Sequence, residues 1–245
     1  MSVPTFGVIG DVHSHWKRLD RVVARIEAED VDGVLLVGDL ACVGRGPRTR
    51  AQIGKYRSQV RRVMETVGRL EKPVLYVPGN HDLPGLSLPG NVDGVAAEVG
   101  GLTVVGIGGS NPTPRVHFPY EWSESELENL QIPDGDILLC HCPPARTPLD
   151  FARGAQRHVG SEAIRSRVEG WAGVMVCGHI HESPGLVQIN DCLCMNVGGL
   201  GQPYGRAQVG FIRGLDAVYY EDLETGKGQL LSRRPVFPRE DAIRR

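Results

Sequence analysis

Short apolar runs recur along the first three quarters of the chain and determine the predicted architecture. Each run is rich in β-branched residues and is bounded by Gly, Pro or Asp, which is the pattern of a buried strand. We predict six such strands, at Thr5–Ile9, Gly33–Val37, Val74–Val77, Leu102–Ile107, Ile137–Cys140 and Val174–Cys177.

Two segments between the first three runs have the spacing of amphipathic helices. Their apolar residues are Trp16, Leu19, Val22, Val23 and Ile26 in the first segment and Ile53, Tyr56, Val60, Val63, Val67 and Leu70 in the second. Alternation of strands and helices predicts βαβ units. A short third helix is predicted after Ser123, because Glu126 follows it at the spacing of a capping box.

The pattern changes after His181, where strand-like pieces follow one another without helical stretches. They lie at Leu186–Ile189, Cys192–Val197, Gln208–Arg213 and Ala217–Tyr220, and they predict a mixed or antiparallel edge. The chain has 245 residues, of which 41% are hydrophobic, and this is enough for one α/β domain with a sizeable core. We assign residues 1–232 to that domain and interpret residues 233–245, which mix Arg and Pro, as a surface extension.

Composition and charge disfavour several classes of protein. A formal net charge of −2 argues against a dedicated nucleic-acid-binding protein. The N-terminus has no basic segment followed by a long apolar stretch, and no run reaches the roughly 18 apolar residues of a membrane span, so we expect a cytoplasmic protein. The six cysteines lie mostly in or beside predicted strands, which favours reduced core thiols over disulfides or a structural zinc site.

Metal-binding side chains directly follow five of the apolar runs. The segments are Asp11-Val12-His13, Gly38-Asp39, Gly79-Asn80-His81-Asp82, His141 and Gly178-His179-Ile180-His181. A single His beside a strand is more often structural than a ligand, but five segments in this order indicate a pair of divalent cations. Such a pair would activate a bridging hydroxide for attack on a phosphoester. Carboxylate, amide and imidazole donors suit manganese, iron or zinc better than magnesium.

The order D-x-H, G-D, G-N-H-D, H and G-H-x-H resembles the calcineurin-like metallophosphoesterases, and the stretch around residues 106–123 resembles the Icc-related predicted phosphoesterases. The resemblance implies a four-layer α/β/β/α sandwich of two mixed β-sheets flanked by helices. It also implies two divalent metal ions, Mn²⁺ in the first place and Fe or Zn²⁺ as alternatives. One ion would be bound by Asp11, His13 and His181 and the other by Asn80, His141 and His179, with Asp39 bridging both.

The same resemblance assigns two catalytic residues beside these ligands. His81 would contact the phosphate and protonate the leaving oxygen, and Asp82 would orient the His81 imidazole. His15 and His117 are weaker candidates for substrate binding, because they lie in loops that we expect near the site. A structural role is the alternative for both, and for His158 we expect a surface position.

Arg45 is a further weak candidate for substrate binding. It begins a segment, residues 45–62, that carries seven basic residues and no acidic one, and a positive rim beside the metal ions would attract phosphate. The alternative is a solvated helix face, with the arginines opposite the apolar stripe.

These observations predict a metal-dependent phosphodiesterase that acts on small nucleotide-like phosphodiesters. A nuclease or a phosphomonoesterase at the same site is the nearer alternative, although the net charge disfavours nucleic acid as a substrate. A catalytically inactive binding scaffold is the alternative from another class. Such a scaffold tolerates loss of its ligands, whereas every predicted ligand here has a suitable side chain. The extension at residues 233–245 is also a candidate contact in a homo-oligomer.

Overall fold

The computed structural model describes residues 3–42, 49–114 and 116–234. The strands found there are β1 (Thr5–Ile9), β2 (Gly33–Leu36), β3 (Val74–Tyr76), β4 (Ala96–Val99), β5 (Leu102–Ile107), β6 (Ile137–Cys140), β7 (Phe151–Ala152), β8 (Arg157–His158), β9 (Val174–Cys177), β10 (Gly185–Ile189), β11 (Cys192–Asn196), β12 (Gln208–Arg213), β13 (Ala217–Asp222) and β14 (Lys227–Ser232). The helices are α1 (Trp16–Glu27), α2 (Arg50–Gly68), α3 (Glu124–Asn129) and α4 (Glu162–Glu169).

The first sheet contains strands from both the N-terminal and the C-terminal parts of the described chain. Its strand order is β14-β13-β12-β1-β2-β3. β1, β2 and β3 are parallel, as expected for strands connected through helices, whereas β12, β13 and β14 form antiparallel pairs. The sheet is therefore mixed, with its parallel half built by the βαβ units and its antiparallel half built by the C-terminal strands.

The second sheet has the order β10-β11-β9-β6-β5-β4. Its four central strands run parallel, and β10 and β4 are antiparallel at the two edges. β7 and β8 form a separate two-stranded sheet. The mixed edge predicted after His181 is therefore confirmed.

Three apolar cores separate four layers. The central core lies between the two sheets and contains residues such as Val8 and Leu35 from the first sheet and Leu139 and Val176 from the second. A second core packs α1 and α2 on the outer face of the first sheet, and a third packs α3 and α4 on the outer face of the second. The chain thus forms the predicted α/β/β/α sandwich of two mixed sheets flanked by helices.

Local sequence signals explain where two of the helices begin. Ser123 accepts a hydrogen bond from the backbone N–H of Glu126, and the Glu126 carboxylate accepts one from the N–H of Ser123, so the predicted capping box of α3 is confirmed. Thr49 and Gln52 form the same reciprocal arrangement at the start of α2. Within the described residues, no helix is both long enough and apolar enough to cross a membrane.

The described part of the basic segment lies on the outer surface of α2. Arg57, Arg61 and Arg62 are exposed, and the guanidinium carbon of Arg62 lies 4.2 Å from the centre of the Trp16 ring. This arrangement matches the alternative of a solvated helix face. Arg45 and Arg48 lie outside the described residues.

Candidate metal centre

Each metal-binding segment lies immediately beyond the end of a strand. β1, β2 and β3 of the first sheet lead into Asp11, Asp39 and Asn80. β6 and β9 of the second sheet lead into His141 and the pair at His179 and His181. Because the strands of each set are parallel, their carboxyl ends meet at one edge of the sandwich.

The first group of candidate ligands consists of Asp11, His13 and His181. The Nε2 atom of His181 lies 2.8 Å from Asp11 Oδ2, and one donor atom from each of Asp11, His13 and His181 lies within 4.8 Å of the others. Asp11 Oδ2 also accepts a hydrogen bond from the backbone N–H of His179. The other oxygen, Oδ1, is buried without a hydrogen-bond partner among the described residues. A buried carboxylate oxygen with no donor fits a cation-binding role.

Asp39 lies at the centre of the candidate site. Its Oδ2 atom is 3.3 Å from Nε2 of His13, 3.8 Å from Nε2 of His141 and 4.0 Å from Nε2 of His81. Asp39 is 1% exposed, and its Oδ1 accepts a hydrogen bond from the backbone N–H of His81. A carboxylate in this position can reach both ligand groups.

His141 faces the second group of candidate ligands. Its Nδ1 donates to the carbonyl of Val37 at 2.7 Å when the ring is neutral, which leaves the Nε2 lone pair directed into the site. That nitrogen lies 3.1 Å from Asn80 Oδ1, so two lone pairs face each other. The His179 ring lies 5.0 Å from the His141 ring, centre to centre. A cation bound by both the nitrogen and the oxygen would remove the repulsion between these lone pairs.

Burial sets the protonation states of these groups. It lowers the pKa of His13 to about 3 and also lowers the pKa values of His141 and His179. Burial, and then repulsion from Asp11 and Asp82, raises the pKa of Asp39 well above its usual value. Neutral imidazoles are the form that binds metal ions, and a divalent cation would stabilise the crowded Asp39 carboxylate as an anion.

Attraction between Asp11 and the neighbouring histidines outweighs burial at Asp11 and at His181. Burial raises the pKa of Asp11, but the neighbouring histidines, His141 foremost, bring it below its usual value. Burial lowers the pKa of His181, but the charge and hydrogen bond of Asp11 raise this pKa by a larger amount, so the net shift is upward. The described residues therefore fit divalent cations. Their donor atoms are oxygens and nitrogens, and a nearby positive charge would stabilise the buried carboxylates.

Backbone conformation at the ligands is unusual for residues with side chains. His13 has φ of 43°, Asp39 of 47° and His179 of 64°, all in the left-handed region that costs non-glycine residues about 1–3 kcal/mol each. Such conformations concentrate at functional sites, where packing and bound ligands hold them.

Gly178 permits the close approach of β9 to Asp11. A Cβ atom at this position would lie 2.1 Å from Asp11 Oδ1. We expect Gly178→Ala to displace the Asp11 carboxylate and to reduce metal-dependent phosphoester hydrolysis about 100-fold, since displacements near 1 Å have effects of this size. Steady-state kinetics at several metal concentrations would measure the loss.

Gly54→Ala is the matched control for this substitution. Gly54 lies in α2 and has open space around the position of a Cβ atom, so the change adds the same methyl group without a clash. We expect full activity and a small gain in helix stability, about 0.5–1 kcal/mol. Equal activity of the two variants would show that Asp11 does not need its present position.

His81 lies beside Asp39 and is partly exposed to solvent. Its side chain is 32% exposed, its ring packs 4.2 Å from the ring of Phe118, and its Nδ1 lies 3.7 Å from the sulfur of Cys42. The His13 ring is 5.0 Å away in an edge-on arrangement. Partial exposure and proximity to Asp39 leave the His81 ring able to meet a substrate.

The contacts of Asp82 connect two loops of the candidate site. Its two carboxylate oxygens accept hydrogen bonds from the backbone N–H groups of Gly79, Leu40 and Ala41 and from the hydroxyl of Tyr56. Asp82 therefore links the loop that carries Asp39 to the loop that carries Asn80, and its predicted role in orienting the His81 ring stays a prediction. Burial raises the pKa of Asp82 to about 6, although these donors favour its charged form. The interaction with Leu40 and Tyr56 has no sequence signal, because it depends on the folded positions of distant residues.

The described residues include two of the three weaker candidates for substrate binding. His15 precedes α1, is half-buried, and its Nδ1 is buried without a partner among the described residues. His117 is exposed and adjoins Phe118. Arg45 lies outside the described residues. His158 is exposed as expected, and its Nδ1 lies 2.6 Å from a carboxylate oxygen of the buried Asp150.

Cys42 and Phe118 are site residues that the motif analysis did not assign. All six cysteines are free, and five are buried as expected, but Cys42 is exposed beside the site. Its sulfur lies 3.0 Å from His13 Nδ1. Desolvation of the thiol by the surrounding side chains, and then repulsion from Asp39, raises the pKa of Cys42 to about 12.

This chain is similar in sequence to known proteins. Residues 4–183 match the family model described as calcineurin-like phosphoesterase. An uncharacterized protein of Methanocaldococcus jannaschii is 31% identical over 185 residues, which cover 69% of this chain and 79% of that protein.

Solved structures share the fold at lower identity. A dimetal phosphatase from Danio rerio has a TM-score of 0.61 and 14% identity, with 95% of this chain and 99% of that chain covered. A protein of Thermus thermophilus has a TM-score of 0.59 and 15% identity, with 95% and 100% covered. At these identities the likeness concerns the fold alone.

Proposed function

This chain belongs to the calcineurin-like phosphoesterase family, whose members are metal-dependent phosphoesterases, and we propose that it is a phosphodiesterase with two divalent metal ions that acts on small nucleotide-like diesters. The observation that carries the proposal is the position of Asp39. Its carboxylate lies within 4.0 Å of the Nε2 atoms of His13, His81 and His141, between the two groups of candidate ligands.

The proposed ligands divide between the two groups as the motif order implies. Asp11, His13 and His181 would hold one ion, Asn80, His141 and His179 would hold the other, and Asp39 would serve both groups. Bound divalent ions supply Lewis acidity, which lowers the pKa of water and stabilises negative charge on phosphate. Manganese is the ion we favour, with iron or zinc as alternatives, because the donors are carboxylate, amide and imidazole.

His81 is the proposed proton donor to the leaving oxygen. Its partly exposed ring lies near Asp39 and packs against Phe118. The phenyl ring also offers an apolar surface beside the proton donor, where the second organic substituent of a diester can pack. This surface supports a diester over a monoester, which has no such substituent.

We expect His81→Ala to reduce hydrolysis of alkyl phosphodiesters about 100-fold or more, but hydrolysis of nitrophenyl esters less than about tenfold. The reason is that an alkoxide needs a proton to leave, whereas nitrophenolate is a stable anion. Comparison of kcat/KM for the two substrate classes measures the difference. Equal losses on both would exclude His81 as the acid.

The function is tested with chelator-stripped protein to which manganese, zinc or magnesium is restored. Turnover of bis-p-nitrophenyl phosphate above that of p-nitrophenyl phosphate is the expected result. The reverse ratio would favour a phosphomonoesterase, and strong competition by single-stranded DNA would favour a nuclease. Folded protein with no turnover in any metal would favour the binding scaffold.

A further inference from the structure

Three potential ligands for a soft metal ion lie on the outer side of His13. The sulfur of Cys42 is 3.0 Å from His13 Nδ1 and 3.7 Å from His81 Nδ1. One donor atom from each of these three residues lies within 4.8 Å of the others. Of the six cysteines in the chain, Cys42 is the exposed one, so its sulfur can be reached from solvent.

This group differs from the carboxylate centre in both position and chemistry. His13 contacts Asp39 through Nε2, at 3.3 Å from Oδ2, but contacts Cys42 through Nδ1, on the opposite side of the ring. The outer group offers one sulfur and two nitrogens and no carboxylate. Sulfur and imidazole donors favour zinc and other thiophilic ions over manganese or magnesium.

The distances match those of a tetrahedral site. Zinc binds sulfur at about 2.3 Å and imidazole nitrogen at about 2.0–2.1 Å, so sulfur and nitrogen ligands on one ion are about 3.5 Å apart. The two measured sulfur-to-nitrogen distances, 3.0 and 3.7 Å, lie on either side of that value. Both distances are therefore compatible with one shared ion, to which solvent would supply a fourth ligand.

We propose that Cys42, His13 and His81 form a second binding site, which shares the His13 ring with the carboxylate centre and takes a thiophilic divalent cation, zinc or cadmium, and that its occupation inhibits the enzyme. Binding displaces the thiol proton of Cys42 and any proton on the two Nδ1 atoms, and these protons pass to the buffer. An ion on Nδ1 of His81 replaces the proton that makes the ring an imidazolium, so the ring loses its strength as an acid. The inhibitory part rests on the proposed function, whereas the binding part does not.

Cation binding is measured first, on protein kept in saturating Mn²⁺. Cadmium is the probe, because its bond to sulfur gives an ultraviolet charge-transfer absorption. We expect one equivalent of Cd²⁺ to produce this band and to slow the reaction of the single accessible thiol with a disulfide reagent at least tenfold. Cys42→Ser should abolish the band, and His81→Ala should weaken Cd²⁺ binding at least tenfold.

Two controls keep the binding test decisive. His117→Ala removes an exposed imidazole in the neighbouring loop, and it should bind Cd²⁺ like the unaltered protein. Cys42→Ala repeats the loss of sulfur if the serine variant does not fold. An unchanged cadmium band in a folded Cys42 variant, or thiol reactivity that Cd²⁺ does not affect, would overturn the site.

Inhibition is then measured as the ratio of turnover with and without Cd²⁺ or Zn²⁺, within each variant. The unaltered protein should lose at least tenfold, most strongly on alkyl esters, and Cys42→Ser should lose less than twofold. Equal inhibition of both would place the inhibitory ion at the carboxylate centre and contradict the proposal. Cadmium binding in protein with no hydrolase activity would refute the proposed function and leave the cation site established.

Discussion

Asp39→Asn is expected to reduce metal-dependent turnover of a nitrophenyl phosphodiester at least about a thousandfold, which corresponds to about 4 kcal/mol of transition-state stabilisation. The asparagine side chain has nearly the same shape, so its amide can still accept the backbone N–H of His81. It lacks the negative charge that a ligand between two cations provides. Its single carbonyl oxygen also cannot serve both groups of candidate ligands.

Measurement of kcat/KM over a range of Mn²⁺ concentrations separates weaker metal binding from lost chemistry, and calorimetric titration gives the number of ions bound. Asp20→Asn is the matched control, because Asp20 lies exposed on α1 and pairs with Arg69 at the C-terminal end of α2. We expect that variant to retain full activity. Activity of Asp39→Asn within tenfold of the unaltered protein would refute the central role of Asp39.

Buried parallel strands are the part of the fold that is easiest to predict, because both of their faces are apolar. β1, β5, β6, β9 and β12 have the predicted limits, and the other predicted strands differ by one or two residues. β14 lies at an edge with mostly exposed residues, so it has no apolar run. β4 is similarly exposed, and α4 buries only Ile164 and Val168 on its apolar side, which is too few to form a periodic pattern.

The candidate ligands could be predicted for a related reason. They lie shortly after the ends of strands, so a predicted strand also predicts where in the fold the ligand that follows it lies. Cys42 and Tyr56 have no such relation to a strand, and their contacts with His13 and Asp82 bring together residues 29 and 26 positions apart. Contacts of this kind depend on how α2 packs against the sheet, which local sequence patterns do not specify.

The second large effect is expected at Asp82. Asp82→Ala removes the acceptor of three backbone N–H groups and of the Tyr56 hydroxyl in a fully buried position. Unsatisfied buried donors cost about 1–3 kcal/mol each, so we expect a loss of at least about 3 kcal/mol in the free energy of unfolding. In a chain of this size the loss corresponds to a decrease of about 10 °C in Tm.

Metal binding should weaken together with stability, because Asp82 holds the loop of Asp39 against the loop of Asn80. Denaturant unfolding and Mn²⁺ titration of the same variant measure the two effects. Tyr56→Phe is the matched control, since it removes only the hydroxyl that donates to Asp82 and accepts from the backbone N–H of Leu83, and it should cost about 1–2 kcal/mol with little change in metal affinity. If Asp82 acted only through His81, Asp82→Ala would change the dependence of rate on the leaving group and leave both stability and Mn²⁺ affinity intact.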